Sequence, residues 1–198
     1  MAEVEFFYDY ISPYSYLAFS QRTQLEDAGA ELIHRPFFLG GLLAGLRSTP
    51  PIDRPGHARA GYLKTDVARW AKRYGLPMVF HPRFPFNTLP LLRGALLAAE
   101  EGKIEAYSQR CFDAIWVESL DADAPDIGRR LAEEAGLDGQ QWLEATQKLE
   151  NKAQIKANTV EANTRGAFGA PTFFLGDEMI FGNDRLSFLI EMLTAGSK

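Results

Sequence analysis

The chain has 198 residues, 46% of them hydrophobic and 24% charged, the balance of an ordinary globular domain. Acidic residues outnumber basic ones 26 to 21, and no Lys/Arg block stands out, which argues against a nucleic-acid groove. No apolar run reaches the roughly 18 residues of a membrane span, and the acidic start reads as a strand rather than a signal peptide, so a cytoplasmic setting is expected. Cys111 is the single cysteine, which excludes an internal disulfide and any Cys-x-x-Cys pair. His34, His57 and His81 stand too far apart to form a ligand pair, so no metal site is expected.

Val4 to Tyr8 is short, aromatic and β-branched, and reads as a buried strand. Ser12 is a good N-cap and Pro13 suits the first helical position. Tyr14, Leu17, Ala18 and Leu25 then recur at helical spacing, and Gly29 ends that helix. Glu31 to Phe38 reads as a second strand, closing at Leu39-Gly40-Gly41. Strand, helix, strand makes a βαβ unit, so the two strands are expected to be parallel.

Leu46 to Gly56 contains Pro50, Pro51 and Pro55 and reads as a loop. Helical patterns follow at about 57–74, 87–101, 103–117, 125–135, 139–147 and 148–165. Pro171 to Leu175 and Glu178 to Phe181, joined at Gly176-Asp177, form a hairpin signal. Gly182-Asn183-Asp184 caps a last helix carrying Leu186, Leu189, Ile190 and Leu193. The fold class is therefore α/β, a mixed sheet of about four strands interrupted by an all-helical insertion, with the connectivity of a thioredoxin-like sheet. The expected division is a thioredoxin-like domain from 1–45 and 166–198, and a helical insertion domain at 46–165.

Strand one ends in Phe-Tyr-Asp and leads into Ser12-Pro13-Tyr14-Ser15-Tyr16-Leu17. That segment resembles the 2-hydroxychromene-2-carboxylate isomerases and the related kappa-class glutathione transferases. So do Arg35 to Gly41, Arg69 to Pro77, Phe86 to Leu89, Gly166 to Phe174 and Phe181 to Leu186. The resemblance runs from about residue 4 to 190, and the Arg69–Pro77 and Asn87 stretches bring it closer to the isomerases. It implies a DsbA-like variant of the thioredoxin fold. Thiol oxidoreductases of that fold carry Cys-Pro-x-Cys where this chain has Ser12-Pro13-Tyr14-Ser15, so disulfide exchange at this site is chemically excluded.

The resemblance also implies glutathione as cofactor, with Ser12 activating its thiolate rather than acting as a nucleophile. A free thiol has a pKa of roughly 8.5, and a hydroxyl donor at a helix start lowers it. The same resemblance places Pro13 and Tyr14 beside the cofactor. It makes Ala170-Pro171 a cis bond whose free backbone pairs with the cysteinyl unit, and assigns Asn183 and Asp184 to the γ-glutamyl end and Arg59 to the glycine end. Each has a plainer role open to it: Ser12, Asn183 and Asp184 as helix caps, Arg59 as an exposed helix arginine. Asn87 either caps its helix or points an amide at a small aromatic carboxylate substrate. Tyr10, Tyr14, Phe37, Trp70 and Phe168 are candidates for an aromatic pocket, with a core role the plainer one for each; Cys111 reads as a buried small hydrophobe.

The chain departs from the family at Ala44 and Ser48, where a lysine and an asparagine are usual; Arg47 is the nearest replacement. The expected activity is a glutathione-dependent isomerase. A kappa-type transferase and a non-catalytic scaffold that has lost glutathione are the alternatives. Family likeness further implies a homodimer.

Overall fold

Strand β1 (Ala2–Tyr8) lies at the centre of the molecule and pairs on both edges. Its parallel partner is β2 (Ala30–Pro36), matched residue for residue from Ala2 opposite Ala30 to Tyr8 opposite Pro36. Its antiparallel partner is β3 (Thr172–Leu175), which turns back into β4 (Glu178–Phe181). The order β2-β1-β3-β4 is the mixed four-stranded sheet expected from the sequence. The computed structural model describes residues 1–48 and 58–195, so most of the proline-rich loop expected at Leu46–Gly56 lies outside the described residues.

The crossover from β1 to β2 is two helices rather than the single one expected: α1 (Pro13–Phe19) and α2 (Arg22–Asp27). The break has a local cause. The Ser20 hydroxyl donates to the Leu17 carbonyl at 2.6 Å, and the Arg22 guanidinium to the Phe19 carbonyl at 3.2 Å. Side chains thus compete with the backbone ladder at that turn. Gly29, at φ 94°, closes α2 in a conformation that suits glycine.

The second difference follows β2. Leu39-Gly40-Gly41 does not merely end the strand; it opens helix α3 (Leu39–Gly45). A Cβ on Gly40 or Gly41 would meet the Phe38 ring at 2.8 or 2.9 Å, so the two glycines let that ring fold back over its own helix. The helices α4 (Ala58–Tyr74), α5 (Leu89–Glu100), α6 (Ile104–Trp116), α7 (Pro125–Glu134), α8 (Gly139–Gln147) and α9 (Leu149–Thr164) follow the expected spans closely. A 3₁₀ turn, Asn183–Arg185, precedes α10 (Leu186–Ala195).

Both faces of β1 are buried. Phe6 and Tyr8 point to one side, where Phe6 stacks on Phe173 and Phe112 packs against Phe19. This core runs on through α5, α6 and α8 to Trp142. Phe7 points to the other side and meets Phe37 and Phe174. A lattice of Arg35, Arg165, Glu5 and Glu161 roofs that face, with the Arg165 guanidinium 3.7 Å above the Phe174 ring. Helix α9 also fastens the end of β2: the Asn158 amide donates to the Pro36 carbonyl at 2.8 Å, and Thr159 Oγ1 accepts from the Phe38 N–H at 3.0 Å.

Two features of this core make testable statements. Gly94 on α5 faces the Trp142 indole and the Tyr107 hydroxyl, which are hydrogen-bonded to each other at 2.8 Å. Gly94→Ala should therefore overpack the α5–α8 contact and destabilise the protein by about 1–3 kcal/mol, read as a lowered urea midpoint. His34 is largely buried among Phe6, Tyr8 and Phe19, and neither ring nitrogen has a partner among the described residues. Burial pushes its pKa down to about 4. The neutral ring then contributes stability in full above the unfolded value near 6.5, and that contribution is lost as pH falls toward 4, up to about 3 kcal/mol. His34→Phe should flatten this acid limb in unfolding midpoints measured across that range; an unchanged limb would place the acid sensitivity elsewhere.

Candidate active site

The chain leaves β1 at Tyr8 and turns through Asp9, Tyr10 and Ile11 to Ser12, the N-cap of α1. The Ser12 hydroxyl makes two bonds. It accepts from the Ser15 N–H at 3.1 Å, the local cap expected from the Ser-Pro start. It donates to the Ala170 carbonyl at 2.8 Å, across 158 residues of sequence. The Ala170–Pro171 bond is cis, as the resemblance implied. Ser12 is buried, and it lies with Pro13, Tyr14 and Ala170 on the wall of a cavity of about 930 Å³.

Leu63 of α4 adds to the wall, and the rest comes mainly from three places. Phe38, Leu39, Gly40 and Leu43 bring the start of α3, and Ser48 follows that helix. Phe84 to Thr88 bring the segment ahead of α5, which contains a second cis bond, Phe84–Pro85. Phe168 and Phe181 pack in a tilted ring contact, centroids 4.4 Å apart, beside Gly169. The lining is mostly apolar, and among the described residues it contains no Lys, Arg or His.

Of the residues expected at the site, Ser12, Pro13, Tyr14, Ala170 and Asn87 are brought together here. Asn87 makes an Asx-type turn just ahead of the α5 N-cap residue Thr88, its Oδ1 accepting from the Leu89 N–H at 3.0 Å. Tyr14 forms wall, its phenol donating to Asp66 at 2.8 Å; burial and Asp66 both push its pKa up. Pro171 sits behind Ala170, outside the lining. Asn183 is buried, with its amide 3.4 Å from the Tyr74 hydroxyl, and Asp184 is exposed and paired with Arg185 at 2.8 Å. Neither lines the cavity. Arg47 is exposed beside Ser48, at φ 52°. Arg59 stands on α4, and its side chain lies outside the described residues.

Among the aromatic candidates, Phe168 lines the cavity. Tyr10 and Phe37 are core residues, and Tyr10 is bonded to Ser108 at 2.9 Å. Trp70 packs against Tyr74 and belongs to the contact between α1 and α4. Cys111 is fully buried, and burial pushes its thiol pKa up.

The sequence reading passed over Asp9. It is fully buried, with Oδ1 accepting from Thr88 Oγ1 at 2.6 Å and the Ile11 N–H at 3.1 Å, and Oδ2 accepting from the Leu39 N–H at 2.9 Å. Burial raises its pKa to about 6 despite these donors. The available signal was an acid directly following the aromatic run Phe6-Phe7-Tyr8, where a charge is expensive unless satisfied.

A serine in the place of a redox cysteine, facing a cis-proline across the end of a β2-β1-β3-β4 sheet, defines a thioredoxin-fold protein of the DsbA type. The model of the DSBA-like thioredoxin domain matches residues 3–194. The chain belongs to this family, and within it to the 2-hydroxychromene-2-carboxylate isomerases, which makes it an enzyme of the isomerase class. It is 32% identical over 189 residues to the 2-hydroxychromene-2-carboxylate isomerase of Pseudomonas putida, covering 95% of this chain and 92% of that one. A solved structure of a 2-hydroxychromene-2-carboxylate isomerase superposes with a TM-score of 0.86 at 31% identity, covering 96% and 94% of the two chains. The glutathione S-transferase kappa 1 of Homo sapiens is 29% identical over 211 residues, covering 96% and 90%.

Ser12→Ala removes both the cap of α1 and the bond to Ala170. It should lower stability by about 1–2 kcal/mol, read as a reduced urea midpoint with an unchanged slope.

Proposed function

We propose that the protein is a glutathione-dependent isomerase that interconverts 2-hydroxychromene-2-carboxylate and trans-o-hydroxybenzylidenepyruvate, or acts on a related aromatic-degradation intermediate. The observation that carries this reading is the Ser12 hydroxyl, held 2.8 Å from the Ala170 carbonyl on the wall of an apolar cavity. The names of the relatives support it, the isomerases for the reaction and the kappa transferases for the thiol. The cavity volume, about 930 Å³, suits a tripeptide with a bicyclic partner.

When bound, glutathione supplies a thiolate whose reversible addition to a conjugated side chain frees one bond to rotate, and which leaves regenerated. The chain's own residues prepare that event. Ser12 has one hydroxyl proton, which it now donates in a hydrogen bond to the Ala170 carbonyl. A thiolate in the cavity competes for it, and a charge-assisted bond is the stronger one. Turning the hydroxyl favours the ionised thiol and lowers its pKa. No hydrogen bond to the Ala170 N–H is found among the described residues, so that backbone is free to pair with an extended cysteinyl unit.

The aromatic walls hold a planar ring system, and the Asn87 amide nitrogen, not used in the turn, is a donor for the substrate carboxylate. Arg47 and Arg59 are the proposed cations for ligand carboxylates, with Asn183 and Asp184 taking the γ-glutamyl end. A homodimer and a cytoplasmic setting complete the proposal. Kinship to the kappa transferases supports a second reading, in which the thiol is consumed by an electrophile.

The test is thermal unfolding with millimolar reduced glutathione, joined to an ultraviolet assay of the chromene. At a hundred times its dissociation constant, glutathione should add about 2.7 kcal/mol to stability. Turnover should leave total thiol unchanged, and Ser12→Ala should lower kcat by about 10²–10³. Thiol loss matching product would establish the transferase. Neither stabilisation nor turnover would sink both enzyme readings in favour of a scaffold.

A further inference from the structure

Behind the cavity wall lies a carboxylate that does not line the cavity. Asp9 follows directly on β1 and is fully buried. Its three donors, Ile11 N–H, Leu39 N–H and Thr88 Oγ1, all belong to cavity-lining residues. They come from three separate stretches: the turn into α1, the first residue of α3, and the residue just ahead of α5. Thr88 is itself buried, and its bond to Asp9, at 2.6 Å, is the shortest of the three.

Among the described residues no Lys, Arg or His is bonded to Asp9. The titratable side chain that senses its charge is Tyr8, and burial pushes the Tyr8 pKa up. An uncompensated carboxylate here depends on its neutral donors, and they in turn are oriented by it.

We infer that Asp9 is the positioning residue of the cavity: its ionised carboxylate draws the Ile11 turn, the start of α3 and Thr88 onto one point, and so sets the opening in which a ligand meets Ser12. Protonation removes the charge that strengthens all three bonds. Burial, which raises the Asp9 pKa to about 6, brings that change close to neutral pH. As applied to turnover the inference rests on the isomerase reading; as applied to cavity shape it does not.

The experiment has a ligand-free arm and a kinetic arm. Backbone amide resonances of the unliganded protein are followed through the region around pH 6. Ile11 and Leu39 should shift with one common midpoint, Ser12 and Gly40 should follow them, and Asp9→Asn should abolish the transition in all four. In Asp9→Asn the amide nitrogen presents a donor where the Leu39 N–H or, with the amide flipped, the Ile11 N–H also donates, so a tether is lost with little change in volume. That variant should lose about 10-fold or more in kcat/KM and the wild-type acid limb of the pH profile. Thr88→Val, missing one tether, should fall between the two. Amides of Ile11 and Leu39 that do not titrate would overturn the inference, as would a folded Asp9→Asn enzyme with wild-type kcat/KM and pH profile. If Asp9→Asn does not fold, the wild-type titration and Thr88→Val decide. If the wild type shows no glutathione-dependent turnover, the isomerase reading falls, and the amide titration alone judges Asp9.

Discussion

The structure depends on β1 being the inner strand of the sheet. Parallel pairing with β2 along its whole length on one edge and antiparallel pairing of Glu5–Phe7 with β3 on the other hold its C-terminal half from both sides, and aromatic side chains bury both of its faces. A strand fixed on four sides delivers its C-terminal end to one place. That end carries Asp9 and then Ser12, and the same pairing that seats β1 brings the cis Ala170–Pro171 bond alongside. Two residues 158 positions apart are thereby held at hydrogen-bond distance by the sheet rather than by any local preference.

Much of this was legible in the residues. The β-branched and aromatic runs located the strands, glycine and proline punctuation located the long helices, and Ser12-Pro13 marked the start of α1. The elements that came out differently are the ones whose causes lie in side-chain bonds that hydrophobic periodicity does not display. The α1–α2 break depends on where the Ser20 and Arg22 side chains turn. Helix α3 begins with an N–H bonded to Asp9, thirty positions earlier, which no window of sequence around Gly40 displays. The site was legible where motif and position coincide, at Ser12, Tyr14, Ala170 and Asn87. Thr88 looks unremarkable alone, and the acid at Asp9, though visible after an aromatic run, gains its partner only when the fold places the two 2.6 Å apart.

The chemistry of the cavity follows from replacing sulfur by oxygen. A serine hydroxyl at the head of α1 cannot exchange disulfides, but it has a proton that can be lent. In the structure that proton is hydrogen-bonded to a backbone carbonyl, a neutral partner that an anion outbids. The surrounding walls are apolar rings, which suit a flat ligand and keep the local dielectric low, so that each polar group present acts strongly.

The burial of Cys111 bears on how such a protein ages. It is the chain's sole sulfhydryl, and it sits without solvent access in the middle of α6, with burial opposing its ionisation. Small disulfides in the surroundings therefore find no accessible thiol on this protein to cap or crosslink. A chain whose sole thiol is sealed in its core is insulated from the thiol–disulfide balance of its medium.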